Sequence, residues 1–375
     1  MSASSVSSGA AAQHAALGLD TAQARVVPQP HPRAQWFAGA GLGLMVHWGL
    51  AAVHGGLDLS WGMIANTPWD AAGAPDNKIT PREYWALAER FHPDRHDPEP
   101  WIAAAARAGF TYAVFVAMHH DGYTLWPSAH SDLGVHSHLG GRDLVAPFVE
   151  ACRRHGLKVG LYLSPPDWRL DRDVMSFNYP SMGGLDRSRP VEGAPFFDQD
   201  HRPRPAPEVP PGHRERARAA FHGRIQEILT RYGDIDLLWL DGGVHDNAAR
   251  DLALRLQPHL VINSRSCDGH FGSSECHLPE TRPEGWFEAV LCWQSCSTVT
   301  PRGVPVDVWG YLASETYKSA GWALDAERRL RDWGCKLLLN VGPRPDGEMP
   351  PVVYQRLEEL RLLRQAAGIA SPTLP

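Results

Sequence analysis

The chain lacks most of what would tie it to a metal, a membrane or a nucleic acid. Its six cysteines, Cys152, Cys267, Cys276, Cys292, Cys296 and Cys335, contain no C-x-x-C pair. Cys292 and Cys296 are the closest couple, and a lone C-x₃-C is a poor zinc signature. Reduced or buried thiols are the expectation, although such spacings leave a disulfide open. No apolar run reaches the ~18 residues of a membrane helix. No Lys or Arg precedes Arg25, so residues 1–33 have neither the charged start nor the apolar stretch of a secretory signal. That Ser-, Ala-, Gln- and Pro-rich segment reads as a disordered tail on a cytoplasmic protein. No Lys/Arg cluster forms a phosphate-tracking stripe, and the net charge is only -6, so a nucleic-acid partner is excluded.

What the chain does have is core. It runs to 375 residues, with 43% hydrophobic and 21% charged side chains. That is enough for one large barrel with insertions. From Trp36 onward, short apolar runs alternate with amphipathic stretches of helical period, the pattern of buried parallel strands joined by crossover helices. Strands are expected over 43–48, 112–118, 158–164, 236–240, 260–264, 289–293 and 336–341, with a faint eighth near 270–274. Helices are expected over 82–91, 99–109, 144–155, 215–232 and 352–365. The class is therefore α/β, a (β/α)₈-type barrel irregular on one side. Residues 34–367 form the catalytic domain, residues 165–212 a loop insertion over the barrel mouth, and residues 368–375 a short tail.

In parallel barrels the site lies where the strands end at their C-termini. Those ends carry His47, then His119, His120 and Asp121, then Ser164 with Asp167 and Trp168, then Asp241, then Arg265. A rim of Trp, His, Arg and Asp suits a sugar: indole faces pack on the C–H side of a pyranose, and the polar groups bind hydroxyls. Breaking a glycosidic bond takes two carboxyl groups, one to attack or activate water and one to protonate the leaving oxygen. Asp241 ends a buried strand beside Gly242 and Gly243, where a ligand can approach the backbone; the bland alternative is a helix N-cap. Adjacent His119 and His120 point to opposite faces if their strand continues. A set of His47, His119, His120 and Asp241 could ligate a metal, but no H-x-H or H-E-x-x-H spacing accompanies it, and neither metal nor cofactor is expected. Asp167 and Trp168 are either substrate contacts or loop anchors, while Arg142 and Asp143 read as helix capping.

Several segments, taken in order, resemble the α-L-fucosidases of glycoside hydrolase family 29. They are G-L-M-V-H-W-G at 43–49, H-H-D-G-Y-T-L-W at 119–126, G-R-D-L-V at 141–145 and G-L-Y-L-S-P-P-D-W at 160–168. L-W-L-D-G-G at 238–243, N-S-R at 263–265, W-G-Y at 309–311 and L-L-L-N-V-G-P-R-P-D-G at 337–347 complete the set. The resemblance implies a retaining enzyme whose nucleophile is Asp241. It implies that His47, His119 and His120 bind fucose hydroxyls, that Trp61 in S-W-G-M meets the sugar and that Trp239 shares the pocket. Arg265 matches the family's arginine near the acid/base. Glu275 in G-S-S-E-C fills the slot of the acid/base glutamate, with Glu280 and Glu284 as rivals nearby. Glu288 in W-F-E-A-V looks like a structural segment of the family.

Departures are visible as well. Met118 replaces the usual basic residue before the His pair, Ser264 the Asp of N-D-R, and Gly334-Cys335-Lys336 the usual G-G-N. The family normally adds a C-terminal β-sandwich, for which the residues after the last helix leave no room. The expected substrate is a small fucosylated or related 6-deoxysugar glycoside, and self-association is compatible with a barrel that lacks its companion domain. Rival readings are a glycosidase or transglycosidase for another deoxysugar, and a carbohydrate-binding pseudoenzyme of the same fold.

Overall fold

The computed structural model describes residues 24–67, 78–182, 193–242, 245–295 and 308–370. Cys296, Gly243, the outer parts of both expected tails and residues 183–192 of the insertion lie outside them. Eight parallel strands make one sheet: β1 (Leu42–Val46), β2 (Tyr112–Met118), β3 (Lys158–Leu163), β4 (Leu237–Leu240), β5 (Val261–Ile262), β6 (Gly272–Glu275), β7 (Phe287–Cys292) and β8 (Lys336–Val341). Their order is β5-β4-β3-β2-β1-β8-β7-β6. The two edges meet where Asn263 bridges Phe271, with Ser264 N–H donating to Phe271 O at 2.9 Å and His270 N–H to Ile262 O at 2.6 Å. The sheet thus curls round to a seam only one bridge wide.

Crossover helices pack outside: α1 (Pro81–Ala86), α2 (Glu99–Ala108), α3 (Ala146–Arg154), α4 (His213–Arg231), α5 (Asn247–Leu256), α6 (Ala320–Asp332) and α7 (Pro351–Ala366). The sequence expectations had located α1, α2, α3, α4 and α7 but not α5 and α6. Both of these begin on a side-chain cap: Asp246 accepts from Ala248 and Ala249 N–H, and Ser319 from Trp322 N–H. Thr80 and Glu83 close a capping box on α1, and Gly109, at φ 91°, ends α2 in a left-handed turn that a side chain would strain. No helix among the described residues is long and apolar enough to cross a membrane.

Two apolar layers result. One lies between sheet and helices. The other fills the barrel with Met45, Tyr112, Val114, Tyr162, Trp239, Val290 and Leu338, closed from below by Trp36 and Phe37. Gly43 matters to this inner layer, because a Cβ there would lie 2.3 Å from Cζ of the Tyr112 ring. Only glycine lets that ring cross the barrel.

The irregular side is the seam, since neither β5–β6 nor β6–β7 carries a described crossover helix. Here the expected disordered tail needs correcting, because residues 24–33 are ordered against the barrel. Val27 N–H donates to Gly269 O, Arg25 pairs with Asp268 at 2.8 Å, and the buried Gln29 amide donates to Leu260 O at 2.8 Å. A seam without a helix leaves backbone groups and apolar edge uncovered, and the extended chain satisfies both. The described part of the insertion is also anchored. Asp171 accepts from His213 at 2.8 Å, and a small ladder joins Phe196–Phe197 to Pro203–Arg204.

Candidate active site

The eight strand ends place the candidate residues on one rim. Asp241 follows β4, Arg265 sits in the β5–β6 connection, and Glu275 is the last residue of β6. Arg265 is almost wholly buried, and its guanidinium holds both carboxylates. Nη2 is 2.8 Å from Asp241 Oδ1 and 3.1 Å from Glu275 Oε2, and Nε donates to the same Asp241 oxygen at 3.1 Å. Those two oxygens cannot be further apart than the two contacts laid end to end. Carboxyl groups with oxygens this close are compatible with the ~5–5.5 Å carboxyl separation of retaining glycosidases.

The two carboxyl groups are pushed in opposite directions. Burial alone would raise Asp241, but the Arg265 charge, His120 and the Tyr162 hydrogen bond outweigh it and hold the carboxyl well below the usual carboxylate range. Burial raises Glu275 to about 7, with Arg265 opposing and the Asp241 charge adding to the rise. One group is therefore ionised while the other keeps its proton up to about neutral pH, which is how two carboxyls take up different tasks. Of the rivals for the acid, Glu280 and Glu284 are exposed on the β6–β7 connection.

Tyr162, a residue that sequence reasoning passed over, donates its O–H to Asp241 Oδ2 at 2.6 Å. Its signal was available. Gly160, Tyr162 and Ser164 alternate along β3, so all three face inward with the same parity.

The histidines are each held by their second nitrogen. His47 Nδ1–H donates to Asn340 Oδ1 at 2.6 Å, while the Asn340 amide donates to Trp309 O at 2.8 Å. This network assigns the tautomer and leaves His47 Nε2 as an acceptor. His119 Nδ1 meets the Ser60 hydroxyl, and His120 Nδ1 meets that of Ser164. Burial lowers His47 to about 4 and His119 well below its ordinary value, so both are neutral at pH 7.

The strand does not continue into His119 and His120, so the opposite facing expected of a continuing strand does not arise. Their ring centroids lie 4.3 Å apart, because β2 ends at Met118 after a register slip beyond Val116. Trp61 stands edge-on to His120 at 5.6 Å and to Trp168 at 4.8 Å, forming an aromatic wall. Trp168 packs at 4.7 Å from His120, and Asp167 is a loop anchor, accepting from the buried Arg224 at 2.6 Å.

Trp239 is displaced from its expected role. It is 0% exposed, beneath the pocket rather than lining it, and its Nε1–H donates to Glu288 Oε1 at 2.9 Å. Trp239 and Asp241 share the inward parity of β4, one layer apart, so the indole is covered by groups that touch the nucleophile candidate. Asp143 caps the start of α3 as expected, accepting from Val145 and Ala146 N–H.

His119, His120 and Asp241 offer three ligand atoms within 4.8 Å of one another. The charge balance argues against a cation there. The Arg265 guanidinium already neutralises Asp241, and both carboxylate oxygens accept hydrogen bonds.

Known proteins similar to this chain fall in one family. A family model described as alpha-L-fucosidase matches residues 12–362. A putative alpha-L-fucosidase 1 of Oryza sativa subsp. japonica is 30% identical over 314 residues, covering 73% of this chain and 51% of its own length. The tissue alpha-L-fucosidase of Rattus norvegicus is 25% identical over 365 residues, covering 88% and 67%. The chain thus spans about half to two thirds of the length of these curated relatives. Among solved structures, alpha-L-fucosidase isoenzyme 1 from Paenibacillus thiaminolyticus superposes with a TM-score of 0.69 at 27% identity, covering 90% of this chain and 76% of that one. An unliganded alpha-L-fucosidase from Lactobacillus casei gives 0.68 at 25% identity, covering 91% of this chain and all of that one.

Proposed function

Because the chain belongs to the alpha-L-fucosidase family, we propose that it is a retaining α-L-fucosidase acting on a small fucosylated or related 6-deoxysugar glycoside, with Asp241 as nucleophile and Glu275 as acid/base. The observation that carries this reading is the single guanidinium of Arg265 between an ionised Asp241 and a proton-bearing Glu275. An Asp241 oxygen attacks the anomeric carbon as the bond from that carbon to the glycosidic oxygen breaks, and Glu275 gives its proton to the departing oxygen. The Glu275 carboxylate then takes a proton from water, whose oxygen attacks the same carbon and releases Asp241 as a carboxylate. His47, His119, His120 and Trp61 hold the sugar, the histidines by hydroxyl hydrogen bonds and the indole by packing. Asp241, held low by Arg265 and Tyr162, stays an anion throughout the neutral range, and Glu275 regains its proton because burial favours its neutral form.

The test is hydrolysis of 4-nitrophenyl α-L-fucoside by the wild type, Asp241→Ala and Glu275→Ala. Cleavage by the wild type, loss in Asp241→Ala and azide rescue of one variant are expected. An inert wild type that still binds fucose would overturn the reading in favour of a binding protein, and cleavage of a different nitrophenyl deoxysugar would change the sugar alone.

A further inference from the structure

One buried carboxylate has no part in the proposed chemistry. Glu288, on β7, is 0% exposed inside the barrel, where burial pushes its carboxyl up to about 7. A buried acid is costly unless its oxygens are bonded, and a packed barrel interior is ordinarily filled by branched apolar side chains. Both Glu288 oxygens are bonded, in two different directions. Oε1 accepts the indole N–H of Trp239 at 2.9 Å, and Oε2 accepts the hydroxyl of Tyr112. Lys336, on the neighbouring β8, is the cation nearest in charge interaction.

The two directions lead to different places. Indole N–H is a donor only, so the bond to Glu288 fixes how the Trp239 ring sits in its plane. Tyr162 stacks on that ring at 5.4 Å with an interplanar angle of 13°, and the Arg265 guanidinium lies over it at 5.1 Å. These are the two side chains that donate to Asp241, the tyrosine at 2.6 Å and the arginine at 2.8 Å. Arg265 also reaches Glu275. The Tyr112 direction instead leads down to Trp36 and Phe37 at the closed end of the barrel, 5.7 and 6.3 Å away.

We infer that Glu288 is a positioning residue for the reaction: through its bond to the Trp239 indole it fixes the platform on which Tyr162 and Arg265 hold Asp241. This rests on the proposed role of Asp241. It also accounts for a wholly buried tryptophan next to a nucleophile, a place where contact with substrate is unavailable to it.

Trp239→Phe and Tyr112→Phe test the inference as a matched pair. Each removes one hydrogen bond from Glu288, Trp239→Phe together with part of the ring under Tyr162 and Arg265, so variants of Glu288 itself separate the carboxylate's share from that of the ring. Positioning predicts that Trp239→Phe lowers kcat about ten- to hundredfold with KM within about threefold, since small misplacements of reacting groups act mainly on kcat. Tyr112→Phe should leave both constants within about threefold of wild type.

Glu288→Leu, which leaves the Trp239 ring whole but removes its acceptor, should lower kcat as Trp239→Phe does, and Glu288→Gln should keep most of the wild-type kcat. Its carbonyl can accept the indole N–H, and its amide can donate to the Tyr112 oxygen. Crystal structures of the two phenylalanine variants decide the matter without turnover. Tyr162 and Arg265 should move off Asp241 in Trp239→Phe and keep their contacts in Tyr112→Phe. Equal kcat in the pair, or an undisturbed Asp241 shell in Trp239→Phe, overturns the inference. An inert wild type would instead count against the proposed fucosidase reading, with the crystal structures still decisive here.

Discussion

Glu275→Gln separates the charge of the proposed acid from its shape. In the folded protein burial moves Glu275 from the ordinary 4.5 to about 7. A carboxyl that binds its proton more tightly when folded contributes stability that is fully present below about pH 4.5. That contribution is lost as pH rises through about 7. Each tenfold change in proton affinity is worth about 1.4 kcal/mol, so the loss amounts to about 3 kcal/mol. The side chain is only 17% exposed, so solvent screening removes little of it.

Glutamine cannot ionise and carries no such loss. The Tm of Glu275→Gln minus that of wild type should therefore climb between pH 5 and pH 8. For a chain of 375 residues, with an unfolding entropy of ~2 cal/mol/K per residue, 3 kcal/mol corresponds to roughly 4 °C. Calorimetry of both proteins at four or five pH values measures the slope, and any constant offset from the new amide drops out. A difference that stays flat across this range, or that falls, would refute the claim that the fold keeps Glu275 protonated.

The pH dependence of kcat/KM follows from the same pair. It should fall tenfold per pH unit above about 7, as Glu275 ionises, and show no acidic limb above about pH 5, because Asp241 is held well below the carboxylate range. A limb between pH 5 and 6 would mean that Asp241 is not the group required as an anion. Tyr162→Phe removes a hydrogen bond to a charged group, worth about 1.5–3 kcal/mol, and should lower kcat about ten- to hundredfold while moving the acidic limb upward. Equal kinetics in the two proteins would exclude the tyrosine from the nucleophile's shell. Arg224→Met leaves Asp167 buried without its partner and should cost about 3–5 kcal/mol. Because Asp167 anchors the loop that packs Trp168 on His120, KM for the nitrophenyl fucoside should rise more than kcat falls, a split that steady-state kinetics would show.

The barrel was legible because buried parallel strands are apolar on both faces, and β2 and β8 stand out as runs whose bounds match the structure. Strand ends then pointed to His47, His119, His120, Asp241 and Arg265 without coordinates, since polar residues finishing an apolar run have few structural uses. Glu275 lies on the short strand that was faint in sequence, and its place came from the family resemblance. Tertiary structure alone decided the rest. That one guanidinium spans both carboxylates depends on how two separate strands are registered. The turn of both histidines to one side depends on a slip at the end of β2 that alternation does not encode. Trp239 reads as a pocket residue because it neighbours Asp241 by two positions, yet barrel parity puts it a layer below. The order of residues 24–33 was hidden because Arg25, Val26 and Gln29 look solvated until the helix-free seam around Gly269 and Asp268 gives them partners. Local sequence carries period, caps and strand ends, whereas hydrogen bonds between residues some two hundred positions apart exist only once the barrel closes.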